Sequence, residues 1–92
     1  MKTFFIFGKS SPKELKEISL KYRAEVVSLV KDFGGDVGSM HVMLREKYLI
    51  LISAFPGIRP AKKASISLSK FTGISFRTLP AILADEFQEL RA

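Results

Sequence analysis

The sequence predicts an α+β domain, and three observations carry that expectation. Runs rich in aromatic and β-branched residues alternate with two stretches of helical periodicity, in the order β-α-β-β-α-β. Glycine follows each helical stretch, at Gly34-Gly35 and at Gly73, where a left-handed cap ends a helix. The chain has 92 residues and no cysteine, so a single packed core must hold the fold without disulfides or thiolate metal sites. One domain over residues 1–92 is expected.

Each element has its own local reason. "KTFFIFG" reads as a first strand ending at Gly8. In "KSSPKELKEISLKYRAEVVSLVKDFGG", Ser11 is a natural N-cap, Pro12 fits the first helical position, and Glu14 completes a Ser-x-x-Glu capping box. Leu15, Ile18, Tyr22, Val26, Leu29, Val30 and Phe33 follow at three-and-four spacing, which predicts one helix with a single buried face. "DVGSMHVML" and "KYLILISAF" read as strands either side of the charged Arg45-Glu46-Lys47 knot. The knot is not the Asn-Gly or Asp-Gly of a two-residue turn, so a longer or bulged hairpin connection is expected. "RPAKKASISLSKF" predicts a second helix, with Ala61, Ala64, Leu68 and Phe71 as its buried stripe. "ISFRTLP" predicts a fourth strand stopped by Pro80, and "AILADEFQELRA" a short terminal helix.

This order is the ferredoxin-like pattern, a four-stranded antiparallel sheet with two helices on one face. The other face then needs a cover. Alternate residues of a strand point to opposite faces, and in the third strand both sets, Tyr48/Ile50/Ile52 and Leu49/Leu51, are apolar. Soluble monomers avoid an open patch of that kind, so a homodimer packed through the sheet is expected.

The motifs resemble those of the GYD-domain family, over nearly the whole chain. "FGKSSPKELK" is similar to its Gly-Lys and Ser/Thr-Pro helix start, "FGGDVGSM" to its Gly-Gly-x-Val turn, and "TLPAILADEF" to its Thr-Leu-x-Ala stretch with an acidic tail. Where that family has Gly-x-Tyr-Asp, this chain has Arg45-Glu46-Lys47-Tyr48. The resemblance implies a ferredoxin-like fold similar to dimeric α/β-barrel proteins, and it implies no particular reaction.

Candidate chemistry is sparse. Gly8-Lys9-Ser10 lies between a strand and a helix, but a phosphate loop needs a further glycine where this chain has Thr3. Lys9 beside a helix N-terminus is a candidate anion contact. His41 is the one histidine, and the strand pattern places it on a face with Val37, Ser39 and Met43. The commoner fate of such a residue is a packed or hydrogen-bonded sheet histidine. With no cysteine and no second histidine, no metal site or cofactor is expected. Glu14, Glu17 and Glu25 alternate with lysines and arginine on the first helix and read as a solvated face, with Lys13–Glu17 and Lys21–Glu25 spaced for pairing.

The net charge of +6 is uneven: residues 59–82 carry Arg59, Lys62, Lys63, Lys70 and Arg77 and no acid. Such a block either attracts anionic partners or forms a solvated face. Nucleic acid is not the expected partner, because the central strands lack the basic Gly-aromatic motif of RNA-binding sheets. Met1-Lys2-"TFFIFG" is too short for a signal core, and Leu49–Ile52 is far below the span of a bilayer. A cytoplasmic location without membrane contact is expected.

The leading functional expectation is a small homodimeric binding module. Its pocket would lie by the sheet, between the sheet and its helices or across the dimer, and take a small ligand, an anion among the candidates, through Lys9, His41, Tyr48 or Arg77. The alternative is a cofactor-independent monooxygenase or isomerase of the dimeric α/β-barrel type, with His41 as general base.

Overall fold

The computed structural model describes residues 1–82, 84 and 85. Its elements are β1 (Lys2–Lys9), α1 (Pro12–Leu20), α2 (Arg23–Asp32), β2 (Asp36–Val42), β3 (Tyr48–Phe55), α3 (Ile58–Thr72) and β4 (Arg77–Ala81). The strands form one antiparallel sheet in the order β2-β3-β1-β4. Among the described residues, four strands and three helices make an α+β fold whose sheet order is compatible with the ferredoxin-like plan. β1 sits between β3 and β4, and β3 between β1 and β2, so the sheet centre comes from the two most apolar strands.

Helix α1 starts as its sequence requires. The Ser11 hydroxyl accepts from the Glu14 N–H at 3.2 Å, and the Glu14 carboxylate accepts from the Ser11 N–H at 2.9 Å. Hydrogen bonding of its carboxylate to Ser11, to the backbone N–H first and to the side chain second, holds the Glu14 pKa below its ordinary value. A depressed carboxylate pKa stabilises the fold fully above the unfolded value, and the contribution disappears as pH falls through the folded value. The melting-temperature gap between wild type and Glu14→Gln is therefore expected to be open at neutral pH. It should close on acidification below the ordinary carboxylate range. A gap independent of pH would contradict this role.

The single first helix expected from periodicity is instead two helices broken at Lys21-Tyr22. Both the Lys21 and Tyr22 amides turn back to the Glu17 carbonyl, at 2.7 and 3.2 Å, and the Val26 amide restarts the ladder on the Tyr22 carbonyl at 3.0 Å. A straight helix over these residues would reach about 33 Å, whereas an eight-residue strand reaches about 26 Å. The break lets the segment stay over the sheet. Tyr22 turns out of the buried stripe, and its ring meets Phe71 edge-on at 5.6 Å. Lys21 and Glu25 no longer share a continuous helix, and neither expected lysine–glutamate pair closes among the described residues.

The core lies between one sheet face and the helices. Phe4, Ile6, Leu49, Leu51 and Phe55 of the central strands meet Ile18, Val26, Val30, Ala61, Ala64 and Leu68 of the helices, all of them buried. Phe71, expected in the α3 stripe, is 46% exposed because it pairs with Tyr22 at the rim. β4 begins later than expected, at Arg77; Ile74 belongs to the core and the Phe76 amide donates to the Ser69 hydroxyl at 3.0 Å. Pro80 does not stop this strand but lies within it, opposite Phe4. An edge strand tolerates proline because one side of its backbone has no ladder to lose.

The β2–β3 hairpin has the longer connection that its charged knot predicts. The Met43 amide donates to the Tyr48 carbonyl and the Lys47 amide to the Met43 carbonyl, each at 2.9 Å, with Lys47 in the left-handed region at φ 59°. The terminal helix expected beyond Pro80 falls largely outside the described residues. Among those described, no helix is long and apolar enough to cross a membrane.

Candidate functional site

Strand register fixes what the sheet shows on the face away from the helices. One row in from the β2–β3 hairpin, that face carries His41, Ile50, Phe7 and Arg77, in the order β2, β3, β1, β4. The next row toward the hairpin holds Tyr48 and Lys9, directly opposite each other. The next row the other way holds Ser39, Ile52, Phe5 and Leu79. Phe5 is 39% and Leu79 51% exposed, so an apolar patch stands open at the sheet centre.

All four candidate ligand residues thus lie on the open face, at its hairpin end, and not between sheet and helices. Lys9 and Tyr48 are neighbours. His41 lies diagonally across from Tyr48, since His41 pairs with Ile50. Arg77 is outboard: three strand spacings separate it from His41, about 14 Å. The Tyr48 and Phe7 rings tilt against each other with centroids 6.0 Å apart. The Ser10 amide donates to the Lys47 carbonyl at 3.1 Å and ties the end of β1 to the hairpin. That tie positions Lys9 beside Tyr48.

The surroundings of His41 differ from the simple alternation of the sequence. A bulge between Val37 and Ser39 inserts Gly38, so Val37 pairs with Ser53 on the helix face while Ser39 and His41 stay on the open one. Val37 accordingly packs against the core. His41 Nε2 lies 3.0 Å from the Ser39 hydroxyl, and its ring has no other hydrogen-bond partner among the described residues. Gly38 is the sequence signal for this bulge, since a glycine inside a strand pattern marks one. Sequence reasoning also passed over Phe5 and Leu79 as open-face residues, because the partners of a strand are not visible in its own alternation.

Clefts formed by described residues lie elsewhere. One of about 240 Å³ opens between Glu17, Tyr22 and Phe71, where α1 meets the end of α3. A broader hollow of about 740 Å³ lies at the far end of β1 and β4, between Thr3, Phe5, Ala81 and Ile82. It extends the apolar patch away from His41. Among the described residues no group of three or more His, Cys, Asp or Glu side chains is placed to hold a metal ion.

Fold and site together define a small α+β domain with one armoured sheet face and one open apolar face edged by cations, tyrosine and histidine. No family model matches the chain, and no curated protein matches it.

Proposed function

We propose that the protein is a homodimeric binding module, in which a second copy covers the open sheet face. The ligand, a small anion, would sit at the hairpin end of that interface. The observation that carries this reading is the open face itself: Phe5, Phe7, Ile50, Ile52 and Leu79 share one surface whose hairpin end has Lys9, Tyr48, His41 and Arg77. Four strands at about 4.8 Å and seven residues at about 3.3 Å give a face of roughly 19 by 23 Å. Two such faces make roughly 900 Å² as flat rectangles, to which the relief of their side chains adds, against the ~1,000 Å² that a specific interface needs. This arrangement completes the ferredoxin-like, dimeric α/β-barrel reading that the GYD-domain resemblance implies.

At the hairpin end, Lys9 and Arg77 supply positive charge, and the tilted Phe7–Tyr48 ring pair supplies an apolar wall with a phenolic hydroxyl. Pockets of this composition orient small ligands with few polar anchors. General-base use of His41 gains less support, since its ring is held by a hydroxyl and by no carboxylate among the described residues. Native mass spectrometry of the freshly purified protein tests the proposal. The expected species is a dimer that releases a small acid on activation, with retention reduced at least tenfold in Lys9→Ala and Arg77→Ala. A bare monomer would contradict it.

A further inference from the structure

The helix side of the molecule carries a second surface that this reading leaves unused. In α3, Arg59, Lys62, Lys63, Ile66 and Lys70 recur at three-and-four spacing, so they share the face opposite the buried Ala61, Ala64 and Leu68. α3 contains no acidic residue. None of the four cations meets a carboxylate within ion-pair distance among the described residues. The other two helices mix both signs of charge along their lengths. The positive stripe is about 17 Å long. Ile66 stands at its centre, 57% exposed.

Beside the stripe runs a groove of about 220 Å³ between α3 and β4, lined by Lys62, Ser65, Ile66, Phe76 and Thr78. Its size is below that of a small-molecule site and suits one aliphatic side chain. The Thr78 hydroxyl at its wall is buried and has no hydrogen-bond partner among the described residues. Rotation about χ1 would exchange that hydroxyl with the methyl group and present it to a carbonyl in the groove.

From the shared stripe and groove we infer that α3 and β4 form a docking surface for an acidic protein segment with a single apolar anchor residue. Carboxylates of the segment pair with Arg59, Lys62, Lys63 and Lys70, and the anchor seats between Ile66 and Phe76. A nucleic-acid backbone would satisfy the cations but has no apolar knob for the groove, and the stripe has no aromatic ring on which a base would stack. A membrane surface would want a broad apolar face, whereas this stripe offers one isoleucine. The surface lies across the molecule from the open sheet face, so it stands or falls independently of dimer formation.

Fluorescence anisotropy tests it with two labelled twelve-residue peptides, one all glutamate and one with a central leucine. The leucine peptide is expected to bind the full chain about tenfold more tightly, the worth of one partly buried aliphatic side chain. Ile66→Ser should abolish that preference while leaving the all-glutamate affinity and the thermal melt unchanged. Lys62→Gln with Lys63→Gln should weaken both peptides. Equal binding of the two peptides, or absence of binding, would overturn the inference. So would tighter binding to a DNA duplex or to phosphatidylserine vesicles than to the leucine peptide.

Discussion

Phe55→Ala is expected to destabilise the fold by about 3–5 kcal/mol, the usual cost of deleting a core aromatic ring. A domain of this length holds roughly 5–14 kcal/mol in all, so the variant would lie near the threshold of folding. Phe55 is fully buried at the end of β3, and its ring meets Phe4 edge-on at 6.2 Å. The same ring lies against the turn into β2. A Cβ placed on Gly35 would lie 2.6 Å from Phe55 Cδ1, far inside contact distance. Gly35 is thus required by the ring it faces, and Gly35→Ala should cost about 1–3 kcal/mol through overpacking. The two effects are coupled. In a Phe55→Leu background the Gly35→Ala penalty should shrink, because the atoms it collides with are gone. Urea denaturation of the four proteins followed by circular dichroism measures the cycle; strictly additive penalties would show that the ring and the glycine do not share this contact.

The second large effect concerns the open face. Ile52→Lys places a charge at the middle of the patch, between Ser39 of β2 and Phe5 of β1. In a two-fold interface the substitution occurs in both copies at once. Losing one buried isoleucine per copy removes about 3–6 kcal/mol of association, which raises the dissociation constant by two to four orders of magnitude. The monomer itself should fold as before, since Ile52 points away from the core that Leu51 and Ser53 face. An unchanged dimer in the presence of this lysine would place the interface elsewhere on the surface.

Much of the fold was legible in the sequence because local signals and global packing agree. The Ser11–Glu14 capping box, the doubly apolar third strand and the Ala61/Ala64/Leu68 stripe each describe what the structure contains. The break at Lys21-Tyr22 was not legible. Ile18 and Val26 are eight residues apart, a spacing that one unbroken helix satisfies equally well, and no glycine or proline marks the change. The need to fit the sheet is a tertiary demand. The bulge at Gly38 had a signal, but its consequence, moving Val37 to the helix face, depends on pairing with β3. Phe71 reads as core by spacing and is drawn to the rim by Tyr22, a partner far away in the sequence, at the break between α1 and α2.

For the candidate site, the residue types were legible and their arrangement was not. Lys9, His41, Tyr48 and Arg77 come from four different strands, so only the register shows that they share a face and that Arg77 stands apart from His41. The charged Arg45-Glu46-Lys47 knot proves to be a hairpin tip, with Lys47 supplying the left-handed residue that closes it.

Sedimentation equilibrium of the wild-type chain beside Ile52→Lys tests the central claim most directly. The account predicts twice the 10.3 kDa chain mass for the wild type and a single chain mass for the variant, at the same protein concentration. A wild-type protein that sediments as one chain at every concentration, with its sheet face open to water, would contradict it.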